Sequence, residues 1–243
     1  MDTQVLLEKT RVMHQLLQKA SSNALQFDNI ATELKSVLDC NVYIIDKEGK
    51  LLGRSEIYEL STFGLEELEG KQFSEECIRW FSGFNQTEVN IDREESKVIV
   101  TPVLTSGEKM GAVIYARKEQ AFSPLEVILA EYGSSVAGMQ IMRTINLKIE
   151  NEARKKNVVQ LALEVLSYSE LEAVKYIFNE IEGSEGFLVA SKLAEQYKLT
   201  RSVIVNALRK LESAGVIDAR SLGMKGTYIK VLNDYLYDEL AEV

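Results

Sequence analysis

The chain has 243 residues, 46% of them hydrophobic and 27% charged. This composition supports a buried core and argues against disorder, and the length allows one large domain or two small ones. The formal charge of −9, taken as a whole, argues against a nucleic-acid ligand. No apolar run approaches the roughly eighteen residues that a membrane span needs, and the first twenty residues form no signal-peptide core, so no membrane partner is expected. Cys40 and Cys77 lack Cys-x-x-Cys spacing and His14 is the lone histidine. A disulfide framework, a metal site and histidine-based catalysis are therefore not expected, and the cysteine usage fits a reducing cytoplasm.

In chain order, Val5 to Leu17 carries apolar residues at helical spacing, and a second helix is expected from about Phe27 to Leu38. Asn41 to Ile45 reads as a strand, Asp46 to Lys50 as a turn with Gly49 free to take positive φ, and Leu51 to Gly53 as the start of the returning strand. Residues 56–84 read as partly helical. Lys97 to Leu104 and Met110 to Ala116 read as paired strands around a turn at Thr105 to Lys109. Helices, an antiparallel sheet and then a long helix make an α+β fold. Ser123, Pro124 and Glu126 form a helix-start signal. From there to about Leu166 no proline intervenes, giving a rod of ~60 Å that is expected to connect two domains and to help dimerise the chain. A second capping box stands at Ser167 and Glu170, followed by an apolar stripe through Leu171, Val174, Ile177, Phe178 and Ile181. Gly183 is placed to end that helix.

The charge is uneven. Val189 to Lys230 holds eight bases against three acids, a local net of +5, and salt screening lets such a face hold phosphates on an acidic protein. Val189 to Leu208 reads as helix, turn, helix, with Thr200 capping the second. On a wheel of ~100° per residue, Val203, Ile204, Ala207, Leu208 and Leu211 share one core face. Arg201, Ser202, Val205, Asn206 and Arg209 share the opposite face, which offers a guanidinium, an amide and a hydroxyl to base edges or phosphates. Val205, apolar on a polar face, suits a thymine methyl. Ser191, Lys192, Thr200 and Lys210 complete the candidate interface. Val216 to Leu222 and Thr227 to Leu232, around Gly223 to Gly226, read as a hairpin wing whose Arg220, Lys225 and Lys230 reach flanking phosphates. The bland alternative is a helical pair with a hairpin, solvated by its charges.

Ser167 to Ala173, Gly186 to Lys192, Thr200 to Ile217 and Arg220 to Asn233 resemble the CodY family of GTP-sensing pleiotropic transcriptional repressors. Leu6 to Arg11, Gly49 to Gly53 and Leu129 to Gly133 extend the resemblance through the N-terminal half. It implies a GAF sensor domain over residues 1–122, a connecting helix over 123–166 and a winged helix-turn-helix over 167–243. It also implies a homodimer that binds operator DNA more tightly with GTP and branched-chain amino acids. In the family the nucleotide is held between the first sheet's turn and the connecting helix, which here points to Lys47, Lys50 and Lys156. The turn departs from the family's two adjacent arginines. The family's carboxylate-clamping arginine has no counterpart between Glu56 and Leu68, where no Arg or Lys occurs, which argues against branched-chain amino acid sensing; no residue is assigned to that effector.

His14, Cys40 and the aromatic run Trp80 to Phe84 read as surface or core residues, and the pairs Glu66–Glu67, Glu75–Glu76 and Glu94–Glu95 as solvated surface. No nucleophile–base–orienter set emerges, so enzymatic activity is not expected. Two alternatives stay open beside the repressor: a regulator with lost or altered effectors, and a sensor whose winged helix docks on protein partners.

Overall fold

The computed structural model describes residues 3–22, 25–58, 73–93, 95–105, 107–181 and 183–243, without the side chains of residues 3, 21, 22 and 224. The chain forms two compact units, Met1–Asn146 and Leu147–Val243.

In the first unit, α1 (Thr3–Ser22) and α2 (Phe27–Leu38) precede β1 (Asn41–Asp46) and β2 (Leu51–Ser55). After α3 (Glu75–Ser82) come β3 (Glu88–Arg93), β4 (Ser96–Thr105) and β5 (Glu108–Lys118). The five strands form one antiparallel sheet in the order β2-β1-β5-β4-β3. Alternation along the strands divides the side chains between two faces. Val42, Ile44, Ile99, Val103, Val113 and Tyr115 pack beneath the helices with Leu34 and Leu129. Tyr43, Ile45, Val98, Val100 and Ile114 face the other way, against Phe73, Cys77 and Phe81. Burial pushes the thiols of Cys40 and Cys77 up, which leaves both as packing groups.

Helix α4 (Pro124–Glu164) begins in the first unit and ends in the second. Its start is fixed by Arg117, whose guanidinium donates to both oxygens of Glu126 (2.9 and 3.1 Å) and to the carbonyls of Leu38, Gln120 and Ala121. Glu126 also accepts from the amide and hydroxyl of Ser123, the capping geometry expected at that serine.

The second unit continues with α5 (Tyr168–Glu180), β6 (Glu185–Leu188), α6 (Ala190–Gln196), α7 (Arg201–Ser213), β7 (Ile217–Ser221), β8 (Thr227–Val231) and α8 (Leu236–Glu242). Strands β6, β8 and β7 form a three-stranded antiparallel sheet with β8 in the centre. The core joins Val159 and Leu163 of α4 to Val174 and Ile177 of α5 and to Ile204 and Leu211 of α7. Both halves of the expected capping box at Ser167 and Glu170 are formed. Three elements escaped the sequence reading: β3, a charged edge strand interrupted by Asn90 at φ +54°; β6; and α8.

Candidate nucleic-acid interface

Helices α6 and α7 are joined by Tyr197 to Thr200, with Lys198 at φ +55°. Tyr197 anchors this turn on α5: its ring stacks on Tyr176 at 4.0 Å, and its hydroxyl donates to Glu180 at 2.8 Å. Leu199 packs against the core. Thr200 Oγ1 accepts from the Val203 amide at 3.4 Å and lies 3.0 Å from the Ser202 hydroxyl, so α7 starts on a side-chain cap.

From that cap the 3.6-residue period sets the faces. Ile204, Ala207, Leu208 and Leu211 are buried, and Val203 packs partly against them. Arg201, Ser202, Asn206 and Arg209 are exposed, and Val205 is half-buried among them. Ser191 and Lys192 are exposed on α6, and Lys225 and Lys230 on the wing. Among the described residues, Lys192, Arg201, Arg209, Lys225 and Lys230 form no ion pair within the protein, which leaves their charge for an outside group. Arg220 bonds Asp218 at 2.8 Å on the open surface of β7. Such an exposed pair is worth little and can exchange its carboxylate for a phosphate.

Lys210 is placed differently. Its ammonium donates to Glu170 at 2.6 Å and to the Val165 carbonyl at 3.0 Å, tying α7 to the start of α5. Glu170 is 7% exposed, and the Lys210 bond, helped by the Ser167 amide, holds its carboxyl below the usual range. Lys210 thus serves as an internal partner of a buried carboxylate, away from the outward stripe.

The candidate nucleotide residues are divided between the units. Asp46 Oδ1 accepts from the amides of Glu48 (3.1 Å) and Lys50 (2.8 Å) in the β1–β2 turn, so a carboxylate already occupies the donors that a phosphate would seek there. Lys47 sits 3.7 Å from Glu48. Lys156 bonds Glu239 of α8 at 3.1 Å, and that carboxylate raises its pKa. The stretch that lacks a carboxylate-clamping arginine falls, from residue 59 to residue 68, outside the described residues, as do Glu66, Glu67 and Glu94 of the acidic pairs.

Two features of the first unit lay beyond the sequence. Asn41, fully buried, donates to the Tyr43 hydroxyl and the Tyr58 carbonyl and accepts from the amides of Ile57 and Tyr58, which fixes the chain leaving β2. Lys109 donates to the carbonyls of Phe81, Ser82 and Phe84, closing the C-terminal end of α3, and burial lowers its pKa. Among the described residues no group of three or more His, Cys, Asp or Glu side chains could hold a metal, and no helix is long and apolar enough to cross a membrane.

Comparison with known proteins gives a consistent result. The sequence model described as the CodY GAF-like domain matches residues 5–165, and that of the CodY helix-turn-helix domain matches residues 184–243. The global transcriptional regulator CodY of Lysinibacillus sphaericus (strain C3-41) is 45% identical over a 254-residue alignment covering 98% of each chain. The protein of the same description from Thermoanaerobacter sp. (strain X514) is 46% identical over 245 residues, again 98% of each. Among solved structures, the cofactor-binding GAF domain of the nutrient sensor CodY from Clostridium difficile aligns with 58% of this chain and 99% of its own, at 27% identity and a TM-score of 0.41.

Proposed function

The chain belongs to the CodY family of global transcriptional regulators, and from that premise we propose that it acts as a homodimeric repressor, without enzymatic activity, whose operator affinity follows nutrient status. The outward stripe of α7 enters a major groove. Arg201 takes a guanine edge or phosphate, Asn206 an adenine edge, and Val205 a thymine methyl, while Ser202 and Arg209 hold the flanks. Ser191 and Lys192 of α6, with Thr200 at the turn, sit on the backbone side, and Arg220, Lys225 and Lys230 extend the contact to flanking phosphates. The observation that carries this reading is the Thr200-capped helix presenting unpaired cations and an amide on the face opposite its buried stripe.

The effector arrives at the sensor half, as GTP or a branched-chain amino acid. Binding shifts the spacing of two recognition helices, which must meet half-sites about one DNA turn, ~34 Å, apart. A coupling of ~1–3 kcal/mol changes operator affinity roughly 5- to 150-fold. One observation favours a second reading, a regulator with an altered effector: the Asp46 carboxylate folded onto the turn amides opposes a phosphate at that place.

Operators selected by the protein from random duplexes supply the test. Arg201→Ala abolishes specific binding if the stripe is the reader; undiminished affinity contradicts the proposal. Isothermal titration with GTP and, separately, with isoleucine decides between the two sensor readings.

A further inference from the structure

The outer face of the β6-β8-β7 sheet carries two aromatic rings that the DNA-binding reading does not use. Leu188, Ile217, Ile229 and Val231 turn inward to the core of the second unit. Side chains alternate along a strand, so Phe187, Tyr228 and Arg220 turn outward. The register sets Phe187 and Arg220 on either side of Tyr228, one residue from each strand. Phe187 is 67% exposed, and its ring lies 5.3 Å from that of Tyr228 at an interplanar angle of 54°. The Tyr228 hydroxyl donates to Glu185, which holds that ring in place. Arg220, its side chain 72% exposed, ends the row with a guanidinium steadied by Asp218. Toward the wing tip the exposed Val189 and Leu222 extend the apolar surface. There the Leu222 amide donates to the Gly226 carbonyl, and a Cβ at Gly226 would stand 3.1 Å from Val189.

We propose that this row is a stacking platform for the unpaired bases of single-stranded DNA. Aromatic rings on neighbouring strands of an open sheet hold single strands with little regard to sequence, because every base has a π face. A guanidinium at the end of the row adds one more surface to stack on. Bases inside a duplex cover each other's faces and cannot use it. The charge suits a phosphate backbone. Among the described residues, Lys225 at the tip and Lys230 beside the row form no ion pair within the protein. The two acids of this face, Glu185 and Asp218, are already engaged by Tyr228 and Arg220. That engagement also favours DNA over RNA, since these carboxylates are the acceptors that a ribose 2′-hydroxyl would seek. The platform is continuous with the proposed duplex contact. Arg220 and Lys225 belong to both, so a strand that unpairs beside the operator reaches the rings without leaving the wing. The regulator would then hold melted DNA next to its own site.

The test is fluorescence anisotropy of the full chain with a labelled single strand of about ten thymidines, at low ionic strength, where its phosphates are least screened. Phe187→Ala lowers affinity for that strand roughly tenfold, the loss of one stacked base, and leaves affinity for a selected operator duplex unchanged. Phe187→Tyr, which keeps a ring, keeps both affinities. Phe187 is exposed, so neither variant threatens folding. Arg201→Ala does the reverse of Phe187→Ala, losing the operator and keeping the single strand, so failure of the platform and failure of the α7 reading are distinguishable. Absence of strand binding by the wild-type chain, or strand binding indifferent to Phe187→Ala, overturns the platform. Tighter binding of a uridine strand of the same length overturns the assignment to DNA. Self-association that depends on Phe187, seen by sedimentation without any oligonucleotide, gives the face to a second copy and overturns it too.

Discussion

Lys210→Met distinguishes a DNA contact from an internal ion pair at the same side chain. The structure places its ammonium 2.6 Å from Glu170, whose side chain is 9% exposed, while Lys210 keeps 39% of its own exposure. Removing the cation leaves a buried carboxylate with the Ser167 amide as its remaining strong donor. The cost of orphaning a buried charged group, discounted for the solvent that reaches Lys210, is about 2 kcal/mol. Amides of α5 and α7 that exchange through opening of the second unit should therefore exchange about 30-fold faster. The carboxyl of Glu170 titrates lower in the folded chain than in the unfolded one, first because of Lys210. Its stabilisation is complete above the unfolded value of ~4.3 and is lost as pH falls through the folded value. The deficit of Lys210→Met is accordingly largest near neutrality and closes as pH falls below about 4. On DNA, the variant should keep the wild-type salt dependence, whereas loss of a phosphate contact lowers the slope by about one. Hydrogen exchange unchanged by the substitution, together with a slope reduced by one, would refute the assignment of Lys210 to the internal pair.

Val205→Ser should weaken binding to a selected operator by about 1 kcal/mol while sparing random duplex, as loss of a thymine-methyl contact requires; equal losses in a competition assay count against that contact. Glu126→Gln should destabilise the first unit by about 2 kcal/mol, since it breaks a pair whose guanidinium is almost wholly buried. The denaturation midpoint can be followed through the lone tryptophan, Trp80, in the same unit. Burial raises the Glu126 pKa, but the hydrogen bonds from Arg117 and Ser123 outweigh it and leave the value lowered. Wild type should therefore lose stability as pH falls through that lowered value, and the glutamine variant should lack this acid limb. Gly133→Ala should cost roughly 1–3 kcal/mol, because its methyl would meet Leu34 Cδ2 and come within 2.8 Å of the Tyr115 hydroxyl. An unchanged Trp80 midpoint would show that α4 can shift to admit it.

Local signals made most of the fold legible. Ser167 with Glu170 and Thr200 announce helix starts because each cap satisfies amides within three residues. Phe27–Leu38 and the wing hairpin follow from periodicity and glycine turns. What escaped depends on distant partners. Lys210 reads as a surface base because Glu170 lies forty residues earlier in the chain. Lys109 reads as turn polarity, yet its three acceptors belong to the end of α3. Glu88–Arg93 alternates as an edge strand should, but its charges and Asn90 disguise it. The outward α7 stripe was readable because one amphipathic helix contains it. The residues expected to hold a nucleotide were drawn from elements in different units, and neither Asp46 bonding its own turn nor Glu239 holding Lys156 is visible in a spacing rule.

Methylation protection of guanine N7 on an operator selected by the protein bears most directly on the DNA-binding account, because N7 lies on the major-groove edge. The wild-type chain should shield guanines in two half-sites about one helical turn apart, and Arg201→Ala should expose one in each while Lys210→Met leaves the pattern intact. Full guanine reactivity under saturating wild-type protein, or a pattern indifferent to Arg201, would contradict it.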